Sequence, residues 1–166
     1  MKLEGFEICR EKDGFPSRKP FSDVLYLWGK KFAEKSLQGS LSYRYGLGFV
    51  VTSADSNLKD LSEKDLVFVK TCDRVSKKIT VCGEGKLPES AFIHAIVFED
   101  RSGAIFSFFA SSEEFLSSFK AQKIPVIENS EDLEPKLGLG NLFILKGQGA
   151  LSFGCTADDA GLQFSL

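Results

Sequence analysis

Histidine is almost missing from this chain, with His94 the only one in 166 residues. Nitrogen and sulfur ligands make most zinc and copper sites, so one imidazole without paired thiolates is a poor kit for either metal. The four cysteines, Cys9, Cys72, Cys82 and Cys155, form no CxxC pair. That excludes a zinc knuckle and a disulfide framework, and leaves ordinary thiols. An excess of one charge is also lacking: 21 basic against 23 acidic residues give a net charge of -2. A general nucleic-acid binder needs a clustered basic surface, and none is visible, so no nucleic-acid partner is expected. No apolar run approaches the ~18 residues of a membrane span, and the first residues lack the basic, apolar, small-residue order of a signal peptide. No membrane partner is expected, and the cytoplasm is the expected location. Tyrosine and tryptophan are scarce, three and one against 16 phenylalanines. Phenylalanine carries no polar handle, so most of it belongs in a core.

What is present describes one globular domain over 1–166, with 43% hydrophobic and 27% charged residues and no internal repeat or low-complexity tract. A chain of this length buries roughly two-thirds of its unfolded surface, so neither metal nor disulfide is needed to hold a core.

The first twenty residues, polar and proline-broken, read as an irregular apron. From Phe21, apolar residues recur at Val24, Leu25, Trp28 and Phe32, steps of three and four that predict a face helix over Phe21 to Gln38, with Gly39 as its stop. Strand-like runs follow at 41–45, 48–51, 66–72 and 78–82, the last two joined by the DRVSK turn as a hairpin. Phe92, Ile93, Ile96 and Val97 give a second helical stripe ending near Arg101, and 103–109, containing FSFF, reads as buried strand. Ser111 with Glu114 is a capping-box pattern opening a short helix. Further strands are expected at 124–127, 142–145 and 150–153. The glycines of KGQG read as hairpin turn, and Thr156 with Asp159 repeats the capping pattern for a last helix. Short strands with helices on the faces make an α/β layered domain.

Several segments in order resemble the class II aldolase/adducin family, of which the L-fuculose-phosphate aldolases are the type. GSLSYR (39–44) resembles its GN-x-S-x-R turn, and TSADSNLKDLSEKDLVFV (52–69) its TP-x-G followed by L-x-x-DLV. GKLPESAFIHAIVFEDRSGAIFSFFAS (85–111) resembles the GKLPSSE helix and the A-V-V-H-x-H strand. LFILKGQGALSFGCTADDA (142–160) resembles the strand, N-H-G turn, strand and helix near the family's C-terminus. The resemblance implies a three-layer α/β/α fold with a mostly antiparallel sheet. It also implies a domain whose family C-terminal helix is truncated here.

In that family, zinc held by three histidines polarises the substrate carbonyl as a Lewis acid. Here the H-x-H pair falls on Ser107 and Phe109, and the third histidine on Gln148. A hydroxyl, a phenyl ring and an amide do not replace imidazoles, so the resemblance implies the fold without its metal or any other cofactor. A one-residue deletion leaves either Glu89 or Ser90 at the place of the family's catalytic Glu. Ser40, Ser42, Thr52, Asp55 and Ser90 occupy the degenerate substrate and phosphate pocket. Asp55 stands where a glycine lets backbone N–H groups meet a phosphate, and like charges repel. His94 matches a family histidine that is not a zinc ligand, and reads as structural or solvated. Lys146 carries no sign of the burial that a Schiff-base amine needs.

Two functions of different classes follow. The first, and the expected one, is a non-catalytic aldolase-like domain acting in binding or assembly, as the adducin branch of the family does. Self-association is expected with it, because family members form rings and 16 phenylalanines are more than one small core readily uses. The second is a metal-independent lyase or isomerase acting on a small sugar or sugar-phosphate, with its site rebuilt from Glu89, Asp55, Ser107 and Gln148.

Overall fold

The computed structural model describes residues 3–12, 14–16, 19–111, 124–129 and 132–164. Strands β1 (Glu7–Glu11), β2 (Gly39–Tyr45), β3 (Gly48–Thr52), β4 (Leu66–Asp73), β5 (Lys78–Cys82), β6 (Phe106–Ala110), β7 (Val126–Ile127), β8 (Leu142–Leu145) and β9 (Gly149–Gly154) form one sheet. Its order is β1-β5-β4-β3-β2-β6-β9-β8-β7. The β1/β5 and β7/β8 pairs are parallel. The other pairings are antiparallel, as the resemblance implies. Helices α1 (Lys19–Glu34) and α4 (Ala157–Gly161) cover one face, and α2 (Ala91–Asp100) and α3 (Leu133–Lys136) cover the other.

Period-two alternation along the strands divides the core between the two faces. Leu41, Tyr43, Val50, Leu66, Phe106 and Phe108 point to Leu25, Trp28 and Phe32 of α1. Phe49, Val51, Val67, Phe109, Leu151 and Phe153 point to Ile93, Ile96 and Val97 of α2. Phe32 meets Phe108 and Phe164 edge-on, with ring centroids 6.0 and 5.4 Å apart. No described phenylalanine is exposed, so the described rings are used within the chain itself.

Helix α1 stops at Glu34, short of the expected Gln38. Ser36 takes a left-handed φ of 56°, and the Leu37 N–H donates back to the Phe32 carbonyl at 2.9 Å. This is a Schellman closure that brings Leu37 into the core. The expected irregular apron contains β1. Its backbone ladder with β5 and the Arg10 guanidinium, which donates to the carbonyls of Gly83 and Gly85, hold a segment too polar to show a strand pattern. The strand expected over 124–127 is only Val126–Ile127, because Pro125 has no N–H to donate. The hairpins, the 142–145 strand and the Thr156/Asp159 capping box occur as expected. The helix expected after Ser111 lies outside the described residues.

Helix α2 is buried on nearly every side rather than along one stripe, with Ala91, Ile93, His94, Ala95, Ile96, Val97 and Phe98 all enclosed. A helix apolar all round belongs inside. Phe92, expected in the stripe, is half-buried and packs edge-on against Phe6, 5.4 Å between centroids.

Candidate functional site

A cleft of about 480 Å³ opens where the end of α1, the start of β2, the Ala54–Leu58 loop, the start of α2 and the end of β6 meet. That volume lies within the range of small-molecule sites. Gly39 and Gly149 let the strands beside β6 close on its end. A Cβ on Gly39, at φ +146°, would overlap the Phe109 carbonyl oxygen, and one on Gly149 would lie 2.7 Å from the Phe109 ring. The Phe109 ring is thus pinned in the cleft wall.

Beneath the cleft runs a linear chain of hydrogen bonds. Ser90 Oγ lies 2.6 Å from Ser40 Oγ, Ser40 Oγ lies 2.8 Å from His94 Nε2, and His94 Nδ1 lies 2.8 Å from Ser107 Oγ. Ser90 and His94 are one helical turn apart at the start of α2, so they share a face. Ser40 and Ser107 come from neighbouring strands whose side chains point to that face. His94 is wholly buried, and this desolvation lowers its pKa to about 3, so the imidazole is neutral.

The far end of α2 is fixed by Arg44, the arginine of GSLSYR. Its guanidinium donates to the carbonyls of Phe98 at 2.6 Å, Arg101 at 2.9 Å and Ala104 at 2.9 Å. A cation there complements the helix dipole and satisfies carbonyls that the helix cannot. The motif arginine therefore positions the helix that carries His94.

The predicted site residues separate into groups. Glu89, Ser90 and Phe109 line the cleft, Glu89 exposed and Ser90 buried. Ser40 and Ser107 join Ser90 only through the buried chain. Ser42 donates to the Ser107 carbonyl at 2.7 Å, and Thr52 Oγ1 accepts from the Leu41 N–H at 3.1 Å, so both hydroxyls serve the sheet. Asp55 is exposed, and its neighbours Ala54 and Ser56 line the cleft in its stead. Gln148 sits in the β8/β9 turn, where its N–H donates to the Leu145 carbonyl at 3.0 Å, and does not line the cleft. Glu89, Asp55, Ser107 and Gln148 are thus not gathered in one cavity. Lys146 is exposed and pairs with Glu128 at 2.6 Å.

Residues 107, 109 and 148 do not fit a zinc ion. The Ser107 hydroxyl is bound to His94, Phe109 offers a ring, and Gln148 is a single amide on a separate turn. Among the described residues no group of three or more His, Cys, Asp or Glu is placed to hold a metal. His94, read from sequence as structural or solvated, is structural. Its place in the chain was signalled by the four-residue spacing from Ser90, which sequence reasoning did not use.

The large central sheet with helices on its faces matches the class II aldolase fold. L-fuculose 1-phosphate aldolase from Glaciozyma antarctica PI12 superposes with a TM-score of 0.71 at 19% identity, over 93% of this chain and 73% of that one. L-fuculose-1-phosphate aldolase from Thermus thermophilus gives 0.69 at 16% identity, over 89% and 87%. The N-terminal class II aldolase domain of a Thermoplasma acidophilum protein gives 0.62 at 14%, over 90% and 90%. No family model and no curated protein matches the sequence. Among the described residues no helix is long and apolar enough to cross a membrane.

Proposed function

We propose that this chain is a non-catalytic aldolase-like domain that binds a small molecule in the cleft at the start of α2 and assembles with further copies of itself. One observation carries the reading: none of Ser107, Phe109 and Gln148 presents a metal donor to the cleft. A carbonyl in the cleft finds no Lewis acid among these side chains, and the buried neutral His94 is a poor general base. Glu89 is exposed at the cleft, which favours the second reading, a metal-independent lyase or isomerase acting on a small sugar or sugar-phosphate. A lone solvated carboxylate supplies one proton-transfer group, and such a reaction needs its oxyanion stabilised as well.

Elemental analysis and a turnover assay separate the two. Zinc below about a tenth of an equivalent, with no cleavage or isomerisation of sugars or sugar-phosphates by NMR, supports the binding domain. Stoichiometric zinc or turnover overturns it. Self-association is read by light scattering across micromolar concentrations, where a strictly monomeric species removes the assembly part.

A further inference from the structure

We propose that Ser90 is the cleft's fixed hydrogen-bond donor, set in that role by Ser107, His94 and Ser40, and that the cleft takes an uncharged, oxygen-rich small molecule. The inference rests on the binding reading above and names the class of ligand.

The direction of the chain follows from counting hydrogens. Three hydroxyls and a neutral imidazole carry four polar hydrogens, and three bonds join them. One hydrogen is left over, on one of the three serines. With the ring hydrogen on Nδ1, Ser90 donates to Ser40, Ser40 to Nε2, and Nδ1–H to Ser107, which leaves the Ser107 O–H over. Ser107 is wholly buried and its Oγ has no other partner among the described residues, so that hydrogen would be orphaned in the core. With the ring hydrogen on Nε2, Ser107 donates to Nδ1 and Nε2–H to Ser40. If Ser90 also donated to Ser40, the hydrogen left over would be that of Ser40, again buried. Burying an unsatisfied donor is unfavourable by about 1–3 kcal/mol. If Ser40 instead donates to Ser90, the hydrogen left over is the Ser90 O–H, on a residue that lines the cleft. Ser90 precedes α2 but makes no side-chain cap bond to it, so its hydroxyl can serve the cleft.

The rest of the described lining favours an uncharged ligand. Gln38, Ser56, Asn57 and Ser90 bring polar side chains to the cleft beside Phe109, although the Ser56 O–H donates to the Ser53 carbonyl at 2.7 Å and Asn57 Oδ1 accepts from the Lys59 N–H at 3.1 Å, and Glu89 is the one ionisable side chain of the described lining. Among the described lining residues there is no lysine or arginine and there is a carboxylate, so a phosphate ester meets repulsion from them instead of neutralisation. Neighbouring hydroxyls of a polyol, each able to donate and to accept, match the Gln38 amide, the Asn57 NH2, the Ser56 lone pairs and the Ser90 donor.

His94 is the only histidine, so its ring nitrogens give the sole imidazole signals in a long-range ¹⁵N–¹H spectrum. The expected spectrum shows the hydrogen on Nε2, a state that needs no variant to fold; a hydrogen on Nδ1 overturns the proposal. Saturation-transfer NMR then compares L-fucose, D-xylose and erythritol with L-fuculose 1-phosphate and inorganic phosphate. Binding of at least one uncharged probe, weakened about fivefold by Ser90→Ala, supports the proposal. In Ser107→Ala, the loss of the donor to Nδ1 shifts the tautomer balance, a change that a purely structural serine would not cause. Tighter binding of the phosphates, or no binding of any uncharged probe, overturns the inference. Turnover of a bound sugar would instead overturn the non-catalytic reading and leave the ligand class standing.

Discussion

His94 Nδ1 lies 2.8 Å from Ser107 Oγ, joining the first turn of the buried helix α2 to strand β6 of the central sheet. Ser107 stands where the resemblance places a zinc imidazole. That position faces inward to a partner, and the partner is the chain's only histidine.

Acid should act on stability through His94. Burial lowers its folded pKa to about 3 from 6.5, so the unfolded chain binds the extra proton between those values. The contribution is fully present above pH 6.5 and is lost as pH falls towards 3, at up to about 1.4 kcal/mol per pH unit. Urea unfolding at about pH 7 and about pH 4.5 should show a steeper loss for the natural chain than for His94→Gln. Equal losses would contradict a buried neutral imidazole.

Ser152 Oγ is wholly buried on β9 without a hydrogen-bond partner among the described residues. Removing a buried hydroxyl that makes no bond relieves a desolvation cost, so Ser152→Ala should be neutral or stabilise by about 1 kcal/mol. A loss of that size in denaturant melts would mean that the hydroxyl is satisfied in solution.

Arg44 makes three carbonyl contacts at the end of α2, and its guanidinium carbon lies 5.1 Å from the centre of the Phe98 ring. Lysine keeps the charge but not the planar fork. Arg44→Lys should cost about 1–3 kcal/mol by thermal or urea unfolding. A change within error would show that these bonds are replaced without loss.

Gly149→Ala should destabilise by more than about 2 kcal/mol, because its Cβ would collide with the Ala110 carbonyl oxygen and lie 2.7 Å from the Phe109 ring. Gly147→Ala, in the same turn at φ +70° and with nothing within 4 Å, carries only the backbone cost of about 1 kcal/mol. Chemical denaturation of the two variants gives the order, and the reverse order would contradict the close approach of β9 and β6.

The sequence by itself determined the elements whose signals are local. The three- and four-residue steps through Leu25, Trp28 and Phe32 marked the α1 face, because helix geometry puts such positions on one side. The capping residues Thr156 and Asp159 marked the start of α4, each bonding the other's backbone N–H. The 41–45 run and the FSFF segment were visible as strand, and the resemblance supplied the layered order. Only the tertiary structure decided the rest, since it depends on contacts between distant segments. β1 exists because β5 accepts it, and Arg10 reaches carbonyls more than seventy residues along the chain. The buried chain joins Ser40, Ser90, His94 and Ser107 from two strands and a helix, across separations as long as 54 residues. No local pattern encodes which serine meets an imidazole, or which hydroxyl is left with its hydrogen facing a cleft.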